Sequence, residues 1–130
     1  ATIVSFGSSI AVMGMYDELP VYKAGYDLLL EIFQFVRNFS KEFKYTVGDN
    51  MKTEGVELIK LIYQANSTRD KLEIIRQARE RIETIRLYLR LMKDLRQINI
   101  PKFVSINAKI ENVSKQLAGW QKSQGRNNNC

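Results

Sequence analysis

The sequence predicts an all-α protein, an up-down-up-down four-helix bundle. Four stretches repeat apolar residues three and four positions apart, the period of a helix face. Only two prolines occur in 130 residues, so long helices are permitted. The links between the stretches are short, which makes successive helices antiparallel neighbours.

In the first stretch Tyr22, Tyr26, Leu29, Phe33 and Val36 step along one row, with Leu28, Ile32, Phe35 and Phe39 beside them. Pro20 suits a first helical turn, so this helix is expected from about Pro20 to Asn38. Thr46-x-x-Asp49 has the spacing of a capping box and opens the second helix, which runs to about Ala65. Met51, Leu58, Ile59, Ile62 and Ala65 form its core face. Asn66-Ser67-Thr68 breaks the chain, and Ser67 is positioned to cap a third helix with Asp70 in its first turn. That helix is expected from about Thr68 to Gln97, near ~45 Å at 1.5 Å per residue, and Asn99-Ile100-Pro101 ends it. The fourth carries Phe103, Ile106, Ile110, Val113, Leu117 and Trp120. For helices one, two and four the apolar stripes have the width of a bundle core. Residues 1–16 form an uncharged arm, 17–123 the bundle and 124–130 a loose polar tail.

Composition narrows the chemistry. There is no histidine, which excludes His-based acid–base catalysis, Ser-His and Cys-His pairs, His-ligated zinc, Glu-x-x-His di-metal sites and Arg-His ribonuclease pairs. No glycine-rich phosphate loop is present, and no metal or cofactor is expected. The single cysteine, Cys130, is a bystander thiol that fits a reducing, cytoplasmic setting. Residues 1–16 lack the basic start of a secretory signal, and their Ile, Val, Ser and Gly favour an extended arm held against something. No apolar run approaches the roughly 18 residues of a membrane span.

The net charge of +6 lies wholly in the second half. Residues 1–66 hold six Lys/Arg and eight Asp/Glu, whereas residues 67–130 hold 14 and six. This asymmetry suits an anionic partner. At 100° per residue, Arg79, Arg86, Arg90, Lys93 and Gln97 fall on one line about 60° wide along the third helix. Ile85, Leu89 and Met92 supply its core stripe, leaving Leu87, Tyr88, Leu91, Leu95 and Ile98 as surplus apolar side chains. A monomer rarely exposes such a patch, so these five are expected at a subunit interface. The cation line then faces water or a ligand, and arginine's planar fork suits phosphate. Pairing with Glu83 and Asp94 is the competing account of the line. Arg76, Lys102 and Lys109 are the next candidates for phosphate contact.

The stretches LPVYKAGYDLLLEIFQFVRNF, KYTVGD, LIYQANSTRDK, RLYLRLMKDLRQI and VSKQLAGWQKS, in this order and spacing, resemble the accessory variability determinant proteins of diversity-generating retroelements. Those proteins belong to a wider set of four-helix bundles that includes proteins encoded by intervening sequences in large-subunit ribosomal RNA genes. The resemblance covers roughly residues 19–123, and the arm lies outside it. It implies a non-enzymatic subunit in a barrel-shaped homopentamer with a basic surface. It also implies binding to the element's reverse transcriptase and to its template RNA, with DNA as a further ligand, in support of mutagenic cDNA synthesis. No base-reading residue follows from it. The alternative is a structural oligomer whose basic face docks an acidic protein; a helical enzyme ranks below both.

Overall fold

The computed structural model describes residues 19–128, with side chains as far as Gly125. The uncharged arm and Cys130 lie outside the described residues. Four long helices and one single-turn helix follow in order: α1 Pro20–Val36, α2 Lys41–Lys44, α3 Val47–Asn66, α4 Leu72–Asp94 and α5 Ile100–Asn128. No strand occurs among the described residues. The all-α bundle expected from the periodicity is therefore what forms.

Cross-helix neighbours fix the topology. Cβ positions built on Gly48 and Gly25 would meet Val36 and Ile59, so α1 and α3 run antiparallel. Lys102 pairs with Glu31 and Lys109 with Asp27, which sets α5 antiparallel to α1. Arg79 meets Gln121 and Arg86 meets Glu111, which does the same for α4 and α5. Arg81 reaches Glu54 and joins α4 to α3. The order around the bundle is α1, α3, α4, α5 and back to α1, so the α1/α3 flank lies opposite the α4/α5 flank.

Among the described residues the core is wholly apolar. Leu28 and Ile32 of α1, Met51, Leu58 and Ile62 of α3, Ile82, Ile85, Leu89 and Met92 of α4, and Ile106 and Ile110 of α5 are fully buried. Phe103 and Trp120 pack partly buried at the two ends of the α5 stripe. The row Tyr22, Tyr26, Leu29 and Phe33 departs from expectation. Tyr26 and Phe33 are exposed, because the core face of α1 is the neighbouring row through Leu28, Ile32 and Phe35. Ile59 is only half-buried and lies against α1.

Helix ends correct the sequence reading most. Thr46 precedes α3 but makes no side-chain cap; its hydroxyl donates back to the Glu42 carbonyl at 2.8 Å. Ser67 does not cap α4 either. The Ser67 and Thr68 hydroxyls donate to carbonyls of Tyr63 and Gln64, in the i−3 and i−4 pattern that competes with capping. The Lys71 ammonium then donates to the carbonyls of Ala65, Asn66 and Thr68. Carbonyls orphaned at the end of α3 are thereby satisfied by a cation, and α4 begins only at Leu72. Asp70 falls before the helix, and Glu73 is the acid in its first turn.

α4 also ends earlier than expected. The Gln97 N–H donates to Met92 O at 2.8 Å and the Arg96 N–H to Lys93 O at 3.0 Å. Arg96 sits between them at φ 61°. This is a Schellman C-cap with arginine in the left-handed position usually held by glycine. Asn99 then accepts the Lys102 N–H at 2.8 Å and opens α5, with Pro101 in its first turn. The tail expected to be loose continues α5 as far as Asn128, since each residue added to an existing helix gains a backbone bond and no proline intervenes.

Candidate nucleic-acid interface

The basic second half places its cations chiefly on α4 and α5. Arg79, Arg86, Arg90 and Lys93 do share one side of α4, the side facing α5. Gln97 leaves that line, because the helix has already ended and its amide turns into the α4–α5 link. There its Oε1 accepts the Ser40 N–H at 2.7 Å, and its Nε2 donates to Leu95 O.

The line is not uniformly exposed. Arg90 is 73% exposed, while Arg86 is 31% and Lys93 25%. Arg86 donates to Glu83 on its own helix and to Glu111 on α5. Arg90 and Lys93 both approach Asp94, at 3.9 and 3.4 Å. The Lys93 ammonium also stands 4.9 Å from the centre of the Phe103 ring, a cation–π contact across the helix pair. Arg79 donates to Gln121.

The remaining candidates are paired too. Arg76 sits between Glu73 and Glu80. These bonds hold the Glu73 carboxyl down at about 2, Arg76 contributing most and Gln77 next, and they raise the Arg76 guanidinium further. Lys102 approaches Glu31 at 3.9 Å, and Lys109 meets Asp27, whose bond raises the lysine above its usual range. These acids lie three or four residues away on the same helix or across a helix seam. The pairing with Glu83 and Asp94 weighed from sequence is therefore present, and Glu111 joins it from α5. An arginine held by one carboxylate keeps other N–H donors for a phosphate, but it carries less net field toward a ligand.

The surplus apolar residues divide. Leu87 (65% exposed) and Leu91 lie on the surface of α4 and Leu95 is exposed at its C-cap, whereas Tyr88 and Ile98 pack partly buried against the core. Ile100 and Val104 of α5 add to the exposed set. On the opposite flank Tyr26, Leu30 and Phe33 of α1 and Val56 and Tyr63 of α3 are exposed, with the Lys52 ammonium 5.2 Å from the Phe33 ring. Of these, the sequence periodicity assigns only Tyr26 and Phe33 to the core.

The end of the bundle carries cations that sequence analysis passed over. Arg37 closes α1, Lys41 and Lys44 lie on α2, and Arg96 takes the left-handed position just past the α4 C-cap Leu95. Among the described residues no ion pair or side-chain hydrogen bond engages Arg37, Lys41 or Arg96. The interleaving of lysine and aromatic residues in KEFKY was the available signal.

No helix among the described residues is long and apolar enough to cross a membrane. No curated protein matches the chain. The bAvd-like family matches residues 21–124, from the first turn of α1 into the last turns of α5. This match takes in nearly the whole bundle, and the chain belongs to the bAvd-like family, the bacterial accessory variability determinants.

Proposed function

We propose that this protein is a non-catalytic accessory subunit of a diversity-generating retroelement. It binds nucleic acid through basic surface and binds the element's reverse transcriptase, which supplies the chemistry of mutagenic cDNA synthesis. The observation that carries this reading is the family match across residues 21–124, on a chain whose net charge is +6. Phosphate contacts by Lys and Arg give affinity and placement with little dependence on sequence.

The subunit works as a homo-oligomer, a pentamer by the family resemblance. Exposed apolar side chains on two opposite flanks support assembly. In a closed ring each copy offers one flank to one neighbour and the other flank to the next.

Gel shift of the purified chain with a structured RNA at two salt concentrations tests the nucleic-acid part. The expected result is a complex at low salt whose affinity falls steeply as salt rises. Absence of a complex at low salt would leave only a structural oligomer.

A further inference from the structure

We propose that the end of the bundle where the α1–α3 and α4–α5 links meet binds an unpaired stretch of nucleic acid. Arg37, Lys41, Lys44 and Arg96 contact phosphates, and Tyr45 stacks on a base. This deepens the nucleic-acid reading and moves the strongest contact from the flank to the end.

The two links are tied together by the bond from the Ser40 N–H to Gln97 Oε1, 2.7 Å long. Lys41 and Arg96 each adjoin one of the bonded residues, and Arg37 and Lys44 lie within four residues of Ser40. Across residues 37–46, three cations face one carboxylate, Glu42, and Arg96 adds a fourth cation from the other link. The flank candidates differ, since six of them already hold carboxylates. A phosphate reaching Arg37, Lys41 or Arg96 displaces no described partner.

Arg96 strengthens the case. Its φ of 61° is a conformation glycine adopts without strain, so the backbone does not account for an arginine there. Tyr45 decides the class of ligand. It is 61% exposed, with the Lys44 ammonium 5.9 Å from its ring centre. An exposed ring beside cations is a platform for a splayed base, which a duplex does not offer. The carboxylates of an acidic protein would use the cations but have no ring face to stack on Tyr45.

The test is fluorescence anisotropy on the full chain with oligo-U and oligo-dT, each of about 15 nucleotides, a length that spans one such site. Arg96→Gly suits its backbone and Lys41→Ala is exposed, so the double variant is expected to fold; circular dichroism checks it. It should weaken both oligonucleotides and flatten the slope of log affinity against log salt by about 1.4, two contacts at ~0.7 each. Tyr45→Ala should cost roughly tenfold while Tyr45→Phe keeps affinity. Equal losses on RNA and DNA are expected, because phosphate and stacking are common to both. A folded double variant with an unchanged slope overturns the site and leaves the nucleic-acid reading standing. A silent Tyr45→Ala, with polyglutamate competing as well as oligo-U, overturns it in favour of an acidic protein surface. A wild-type chain that binds neither these strands nor structured RNA at low salt overturns both.

Discussion

Arg86 on α4 donates to Glu111 on α5 while holding Glu83 one turn earlier on its own helix. One guanidinium therefore fastens the two helices of the basic half. Arg90, one turn later, has only a long approach to Asp94. The two arginines are adjacent on the helix face but differ in kind.

Arg86→Glu and Arg90→Glu should then separate. Arg86→Glu sets three carboxylates together on a half-exposed seam and should lower stability by about 1 kcal/mol. Arg90→Glu should stay within ~0.5 kcal/mol. Urea melts of the two single variants check this. Equal, negligible effects would mean that the Arg86 bridge does not persist in solution.

Assembly is testable by complementation. Leu87→Glu with Leu91→Glu blocks the α4/α5 flank, and Leu30→Glu with Phe33→Glu blocks the α1/α3 flank. Each altered chain alone should run as a monomer in light scattering, because a charge would be buried without a partner. Mixed, each supplies the flank the other lacks, and a one-to-one dimer should appear. An assembly joined through like flanks would leave one variant oligomeric and give no mixed dimer.

Two glycines should respond with opposite sign. A Cβ at Gly48 would stand 2.5 Å from Val36 Cγ1 and 3.2 Å from the Phe43 carbonyl. Val36 is fully buried and cannot yield, so Gly48→Ala should destabilise by about 1–3 kcal/mol. A Cβ at Gly119 meets nothing within 4 Å. Gly119→Ala should stabilise by about 0.5–1 kcal/mol, the helix-propensity gain. Thermal melts of both variants measure the pair.

Acid titration should find Glu73 unusual. Its folded value of about 2 lies below the ordinary 4.5 of the unfolded chain. Its contribution to stability is therefore complete above the ordinary value and is lost as pH falls toward 2. Carboxyl carbon shifts read by NMR should place Glu73 lowest among the glutamates. Arg76→Ala, which removes the largest cause, should return it toward 4.5.

The bundle was legible because burial repeats with the helix period. Ile106, Ile110, Val113 and Leu117 could be read as core directly, and all are buried. On α1 two apolar rows compete, and periodicity alone cannot say which faces inward; Leu28 and Ile32 do, while Tyr26 and Phe33 do not. Helix ends were poorly legible because polar side chains turned the other way. Ser67 and Thr68 close the helix behind them, and Arg96 takes a position that sequence rules reserve for glycine. The cation line was visible on a single helix. Its neutralisation by Glu111 was not, because that acid comes from another helix, 25 residues away in sequence. The bundle-end cations are illegible for the same reason, since Lys41 and Arg96 belong to different links that are joined only through the Ser40–Gln97 bond.

Under the proposed function this chain enables a reverse transcriptase without catalysing anything itself. The most direct measurement is cDNA yield from the element's template RNA, with the reverse transcriptase alone, this protein alone and both together. Product is expected only from the combination, and the Lys41→Ala, Arg96→Gly variant should reduce it. Equal cDNA from the reverse transcriptase with and without this protein, under conditions where the two co-purify, would rule out the accessory role.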